Sequence, residues 1–204
     1  MKYLYGNYNR NILVATAPDS YTIYGYNGAD DIYGQDFDDF LYAGSGDDLV
    51  FGYDGDDFIN GNDGWDVLKG GKGNDTLNGN DGYDLLQGAK GNDILNGGDD
   101  WDDIYGGDGR DTLTGGQDDD FLVGGRGKDI FVFRHGDDSD VIADFTPDVD
   151  KIELDLNYVQ NFAQLRQYIY RDGPDTIIDL KDGDFLILAW VNPNSLDSGD
   201  FIFT

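Results

Sequence analysis

The 204-residue chain contains no cysteine, and it has one histidine, one methionine, one glutamate and four prolines. Without cysteine there can be no disulfide, thiolate nucleophile or thiolate metal site. With His135 as the only histidine, the His-pair zinc motifs of metalloproteases are impossible. A serine triad would need His135 as its base, and no Gly-x-Ser-x-Gly elbow is present to supply the nucleophile. His135 reads instead as part of a surface loop, His-Gly-Asp-Asp, and no catalytic residue is assigned. No apolar run approaches the ~20 residues of a membrane span. The opening Met1-Lys-Tyr-Leu-Tyr-Gly6 shows no cationic leader ahead of an apolar stretch, so no Sec-type signal is visible there. Positive charge is also scarce, with 13 Lys and Arg against 42 Asp and Glu and a net charge of −29. Nucleic acid and anionic membranes are therefore poor partners.

What is abundant is aspartate and glycine. Glu153 is the single glutamate, which leaves 41 of the 42 acidic residues as Asp, beside 31 Gly. A surface that merely needs charge would use glutamate freely, since it is the better helix former. Preference for the short carboxylate points to turns and to geometric ligands. Leu, Ile, Val and Phe together number 53 of 204, above the roughly one-fifth typical of permanent disorder. The composition predicts a chain that folds once its charge is compensated.

From Gly25 to Val132 the sequence divides into twelve consecutive nonapeptides without an insertion. Position 6 is Asp in all twelve: Asp30, Asp39, Asp48, Asp57, Asp66, Asp75, Asp84, Asp93, Asp102, Asp111, Asp120 and Asp129. Position 8 is apolar in all twelve, from Ile32 to Phe131. Position 1 is Gly except at Ala43, and position 4 is Gly except at Phe37, Asp100 and Asp118. A Gly/Asp-rich disordered linker would require neither fixed spacing nor the apolar residue at position 8. Residues 7–24 keep Val14 and Ile23 in phase without the Gly and Asp signals, as a worn terminal unit would.

Glycines at positions 1, 2 and 4 permit left-handed backbone and close approach of neighbouring turns. Positions 7 to 9 predict a three-residue strand with position 8 facing opposite to 7 and 9. One apolar side chain cannot make a core, but stacked strands can. Two nonapeptides per coil predict an all-β parallel solenoid of about six coils, ~29 Å long at ~4.8 Å per coil.

The pattern Gly-Gly-x-Gly-x-Asp-x-U-x, where U is apolar, is met in full by residues 70–78 and 106–114. It resembles the repeats-in-toxin (RTX, hemolysin-type) calcium-binding β-roll, a right-handed parallel solenoid. The resemblance implies Ca²⁺ between successive coils, held by position-6 carboxylates and loop carbonyls. One edge would use Asp30, Asp48, Asp66, Asp84, Asp102 and Asp120, and the other Asp39, Asp57, Asp75, Asp93, Asp111 and Asp129. Five gaps per column imply about ten ions with oxygen-only coordination. Sites touching Phe37, Asp100 or Asp118 would be altered by a side chain at position 4. An EF-hand is excluded because its loop ends in Glu.

The edges differ at positions 3 and 5. The first carries Trp65, Tyr83 and Trp101, 18 residues apart and so expected to stack as a ladder, while the second carries Lys72, Lys90, Arg110, Arg126 and Lys128. The rings could stack on sugars and the cations could hold an acidic polysaccharide; alternatively, the rings shield calcium from water and the cations moderate a negative field. Position 7 includes Phe40, Leu49, Phe58 and Ile94, an outward apolar face for which the C-terminal third is the expected cover.

Residues 133–204 lose the period. Phe131–Phe133, Asp140–Phe145 and Lys151–Leu156 alternate like strands, Asn161–Tyr170 places Phe162, Leu165 and Ile169 on one helical face, and Asp175–Val191 reads as a hairpin around Asp182-Gly183. The chain is thus divided into a degenerate N-terminal cap (1–24), the roll (25–132) and a mostly β cap with one short helix (133–204). The last of these is similar to the region after the rolls in serralysin-type proteases and alginate epimerase R-modules, which implies a type I secretion signal. The implied role is that of a bacterial, secreted, monomeric module that folds on Ca²⁺ after export. Alternatives are an acidic-polysaccharide-binding module and a surface or adhesin segment.

Overall fold

A computed structural model describes every residue except Ala17, Asn157 and Asp182. Two sheets of ten and eleven strands face each other, and as far as Lys151–Asp155 consecutive strands alternate between them, so that each sheet is a parallel stack of every second strand, with two antiparallel strands added at the C-terminal end of the larger one. The result is a parallel β-solenoid of about 8 turns. Position 8 fills its interior: Ile32, Leu41, Val50, Ile59, Leu68, Leu77, Leu86, Leu95, Ile104 and Leu113 are all fully buried, and positions 7 and 9 flank them half-buried or exposed.

The strands are longer than three residues. Asp31–Asp36, Phe58–Asp63 and Leu85–Lys90 each run six residues, positions 7 to 9 and then 1 to 3 of the next unit. The glycine-rich half had suggested loop, but it stays in the ladder because position 2 turns left-handed and skips position 1. Thus Gln87 pairs with Tyr105 and Ala89 with Gly107, while Gly88 has no partner in the register. Position 2 is left-handed even where it is not glycine, with φ of +80° at Tyr53 and +78° at Asn62.

The end of the nonapeptide period does not end the solenoid. Ile130–Arg134 pairs in parallel with Lys151–Asp155, which pairs with Phe201–Phe203, and Phe121–Gly127 pairs with Ser139–Ile142, which pairs with Phe185–Leu188. The C-terminal third therefore extends both sheets at their end. It does not lie across their faces as a cover, and Phe40 and Ile94 remain 39% and 54% exposed. Asp175–Asp179 and Phe185–Leu188 form the expected antiparallel hairpin, although Asp182 of its turn lies outside the described residues. The helix is shorter than its apolar spacing suggested. It spans Phe162–Leu165, capped by the Asn161 side chain accepting from the Gln164 N–H, and continues as a 3₁₀ turn to Tyr168. Ile169 is instead claimed by a strand, paired antiparallel with Ile178.

Candidate metal centre

The loops between sheets place position 6 at the two edges, and each Asp there does two things. Its backbone N–H donates to Oδ1 of the Asp one coil further on, from Asp30 to Asp48, Asp48 to Asp66 and so on, at 2.6–3.1 Å along both edges. Its own Oδ1 in turn accepts from the coil before. All twelve residues are at most 2% exposed. Oδ2 of Asp30, Asp39, Asp48, Asp57, Asp66, Asp75, Asp84, Asp93, Asp102, Asp111 and Asp120 is buried without a hydrogen-bond partner.

The glycine at position 1 explains where that second oxygen points. A Cβ on Gly106 would lie 2.6 Å from Asp111 Oδ2 and 2.7 Å from the Gly124 carbonyl oxygen. Carboxylate and next-coil carbonyl thus converge on a space that only glycine leaves open, and this, not left-handed backbone, is why position 1 is glycine. Position 4 does need the left-handed region, and Phe37, Asp100 and Asp118 adopt it at φ +86°, +72° and +73°.

The electrostatics are unfavourable without a cation. Burial pushes Asp84 up to about 7, and burial with help from neighbouring carboxylates pushes Asp48, Asp66 and Asp120 to about 7 and Asp102 to about 9. On the opposite edge burial raises Asp39, Asp75, Asp93, Asp111 and Asp129 to about 6 and Asp57 to about 8. An unpaired buried charge carries a penalty of several kcal/mol, so two columns of them outweigh a net stability of ~5–15 kcal/mol. Hard oxygen donors, some anionic and some carbonyl, suit Ca²⁺ and offer nothing to a metal that prefers nitrogen or sulfur. Bound there, calcium would supply the charge that the orphaned Oδ2 atoms lack.

Both columns extend past the last nonapeptide. Asp120 donates to Asp140 Oδ1 and Asp129 to Asp150 Oδ1. Asp140 is fully buried, its Oδ2 lacks a partner, and burial and Asp120 push it up to about 9. The spacings, 20 and 21 residues in place of 18, hid these residues from a strict nine-residue register. The recurring triplet Asp-x-apolar, Asp140 to Ile142 and Asp150 to Ile152, was the signal that could have found them.

Outside the columns, Trp65, Tyr83 and Trp101 meet on one edge but do not stack. Tyr83 is edge-on to both, at 6.2 Å and 83° from Trp65 and 6.3 Å and 66° from Trp101. The Tyr83 hydroxyl donates to Asp103 at 2.5 Å, the main reason that phenol is pushed up to about 12. On the other edge Lys72 is paired with Asp54 at 2.8 Å, and Arg126 stands 3.6 Å from Asp108. Lys90 and Arg110 are exposed. The Arg110 backbone N–H donates to the Asn92 side chain. His135 stands in a turn, with Nδ1 3.0 Å from Asp184 Oδ2.

The same edges can be compared with known proteins. No curated protein matches the chain in sequence. Among solved structures, the extracellular lipase LipA from Serratia marcescens is 18% identical with a TM-score of 0.41, the match covering 93% of this chain and 41% of the lipase. The AlgE6R3 subunit of the Azotobacter vinelandii mannuronan C5-epimerase is 22% identical with a TM-score of 0.31, the match covering 83% of this chain and 80% of that one. The chain therefore spans less than half of the lipase's length. The family model for the RTX calcium-binding nonapeptide repeat matches in overlapping blocks that together run from residue 22 to residue 142. More than half of the chain is accounted for in this way, and the chain belongs to the RTX calcium-binding nonapeptide repeat family.

Proposed function

We propose that this is a secreted module whose folding is driven by Ca²⁺ after export, with a structural role in stabilising the protein that carries it. The observation that supports this reading is the pair of columns of buried, unpartnered Oδ2 atoms. In a cytosol poor in free calcium these carboxylates repel and the chain stays extended, fit for threading through a type I secretion channel. Outside, sites of Kd ~10⁻⁴ M in ~10⁻³ M calcium each contribute about 1.4 kcal/mol through linkage. About ten such sites give ~14 kcal/mol, on the scale of the whole stability of a domain. Among the described residues no helix is long and apolar enough to cross a membrane.

An acidic polysaccharide on the cationic edge is less well supported, because Lys72 already has its counter-ion in Asp54 and Arg126 approaches Asp108. Far-UV circular dichroism in EDTA and then in about 1 mM CaCl₂ tests the proposal. A disordered spectrum that becomes β-rich with calcium is expected. A β-rich spectrum at neutral pH in chelator would refute it.

A further inference from the structure

We propose that the edge bearing Trp65, Tyr83 and Trp101 also holds an alkylammonium cation in an aromatic cage. The three rings, with Asp100 and Asp103, line a cavity of about 610 Å³. Trp65 and Trp101 are 68% and 60% exposed, which is unusual for the largest apolar side chains. A sugar chain needs rings laid flat and side by side. Here each Trp stands steeply to Tyr83, at 83° and 66°. Rings turned steeply to one another present faces and edges to a compact guest in the groove between them, and ring faces attract positive charge.

The carboxylates fix the sign of that guest. Asp103 is oriented by the Tyr83 hydroxyl. Asp100 occupies a position that is glycine in nine of the twelve repeats and keeps the left-handed backbone, φ +72°, to stand there. On the far side of Trp101 a second cavity is lined by Asp100, Asp118, Asp119 and Asp138. Neither cavity has a Lys or Arg in its lining.

The edge also gives up a structural device to place the rings. On the opposite edge position-5 side chains accept from the next coil's backbone: Asp38 from Asp56, Asp56 from Asn74, Asn74 from Asn92 and Asn92 from Arg110. On this edge Asp47 accepts from Trp65, and the pattern returns only at Asp119, which accepts from Ser139. The side chains of Trp65, Tyr83 and Trp101 offer no equivalent acceptor. Three coils that lose the ladder and gain an open groove of rings and carboxylates point to a ligand.

The test is a choline titration of the full chain in saturating calcium, with sodium chloride at matched ionic strength as the reference. Tryptophan fluorescence reports it in a Trp190→Phe background, since Trp190 is 80% exposed elsewhere and would dilute the signal. A saturable shift is expected, weakened about tenfold or more by Trp101→Ala. Asp100→Asn with Asp103→Asn leaves the rings intact and should weaken it similarly, which keeps the test sound if Trp101→Ala misfolds. A parallel titration with phosphatidylcholine vesicles separates the two sources of this headgroup: a lipid site sediments with the vesicles, and a site for the free cation does not. No saturable shift, an unchanged affinity in the Asp100/Asp103 variant, or maltotriose binding as tightly as choline would overturn the proposal.

Discussion

The edge of Asp48, Asp66, Asp84 and Asp102 and the edge of Asp57, Asp75, Asp93 and Asp111 share one backbone ladder and differ in what surrounds it. Most carboxylates of the first lie at about 7 or 9, and most of the second at about 6. Burial is the leading cause on both, and it raises most carboxylates of the ring-bearing edge further, Asp57 at about 8 being the exception on the other. The second edge keeps Asp38, Asp56, Asn74 and Asn92 as a polar ladder and places Lys72 and Arg126 near acids. The difference teaches which positions the solenoid constrains. Positions 1, 6 and 8 are dictated by cradle, carboxylate ladder and core. Position 4 is held by its left-handed backbone. Positions 3 and 5 are free to specialise, and the two edges have done so in opposite directions.

The largest effect that separates the edges is their response to protons without metal. Ordinary Asp titrates at 3.8, and Asp84 and Asp102 are raised to about 7 and 9 in the fold. The folded state therefore binds more protons between those values, so metal-free stability is greatest below about 4 and is lost as pH rises through 6 to 9. In EDTA the β signal should thus grow on acidification, the ring-bearing edge protonating first. With calcium the sign reverses, because protons compete with the metal for the same oxygens. Circular dichroism against pH, with and without calcium, checks both; parallel curves would show that the columns do not control folding.

Removing one ladder carboxylate comes next. Asp84→Ala takes a ligand from the gaps on both sides and leaves the Asp66 N–H without its acceptor, so about two ions and ~3–5 kcal/mol should be lost. Asp75→Ala removes the same groups on the opposite edge, where burial raises the carboxylate only to about 6, and should lose less. Calorimetric calcium stoichiometry and Tm in saturating calcium measure the pair, and equal losses would erase the distinction between the edges. Filling the cradle is smaller: Gly106→Ala should cost about 1–3 kcal/mol. Ala43, fully buried at position 1, already carries a Cβ there. Ala43→Gly should therefore raise the Tm and tighten calcium on its edge.

Much of this was legible from the nonapeptide alone: the parallel solenoid, the buried position 8, and the twelve carboxylates on two edges. What period-counting could not show were features set by three-dimensional pairing. Position 1 looked like a site for left-handed backbone, yet the cradle beside Asp111 and the Gly124 carbonyl makes it a matter of space. Asp140 and Asp150 were displaced by two and three inserted residues, which a loop absorbs at little cost while the strand register resumes. Ile169 fitted a helical face, but it could also pair across to Ile178, and the sheet won. The rings of Trp65, Tyr83 and Trp101 had the spacing of a stack. Side-chain rotation around that spacing set them edge to face.

The smallest effect discriminates most finely between the two edges. Asn92 accepts from the Arg110 N–H at 2.9 Å and donates its own N–H to Asn74 at 2.9 Å, so Asn92→Ala removes one link of a continuous ladder. At partly exposed backbone positions such a bond contributes about 1 kcal/mol. Trp101→Ala, one nonapeptide further on and on the other edge, removes no ladder acceptor and truncates a ring that is already 60% exposed, so calcium-saturated stability should change by less than about 0.5 kcal/mol. Urea titration of both variants in calcium measures the contrast. If Trp101→Ala proves as destabilising as Asn92→Ala, the rings serve the fold by covering the edge. If it is neutral, the Trp101 ring stands 60% exposed at no benefit to the fold, and its placement is explained by what it binds.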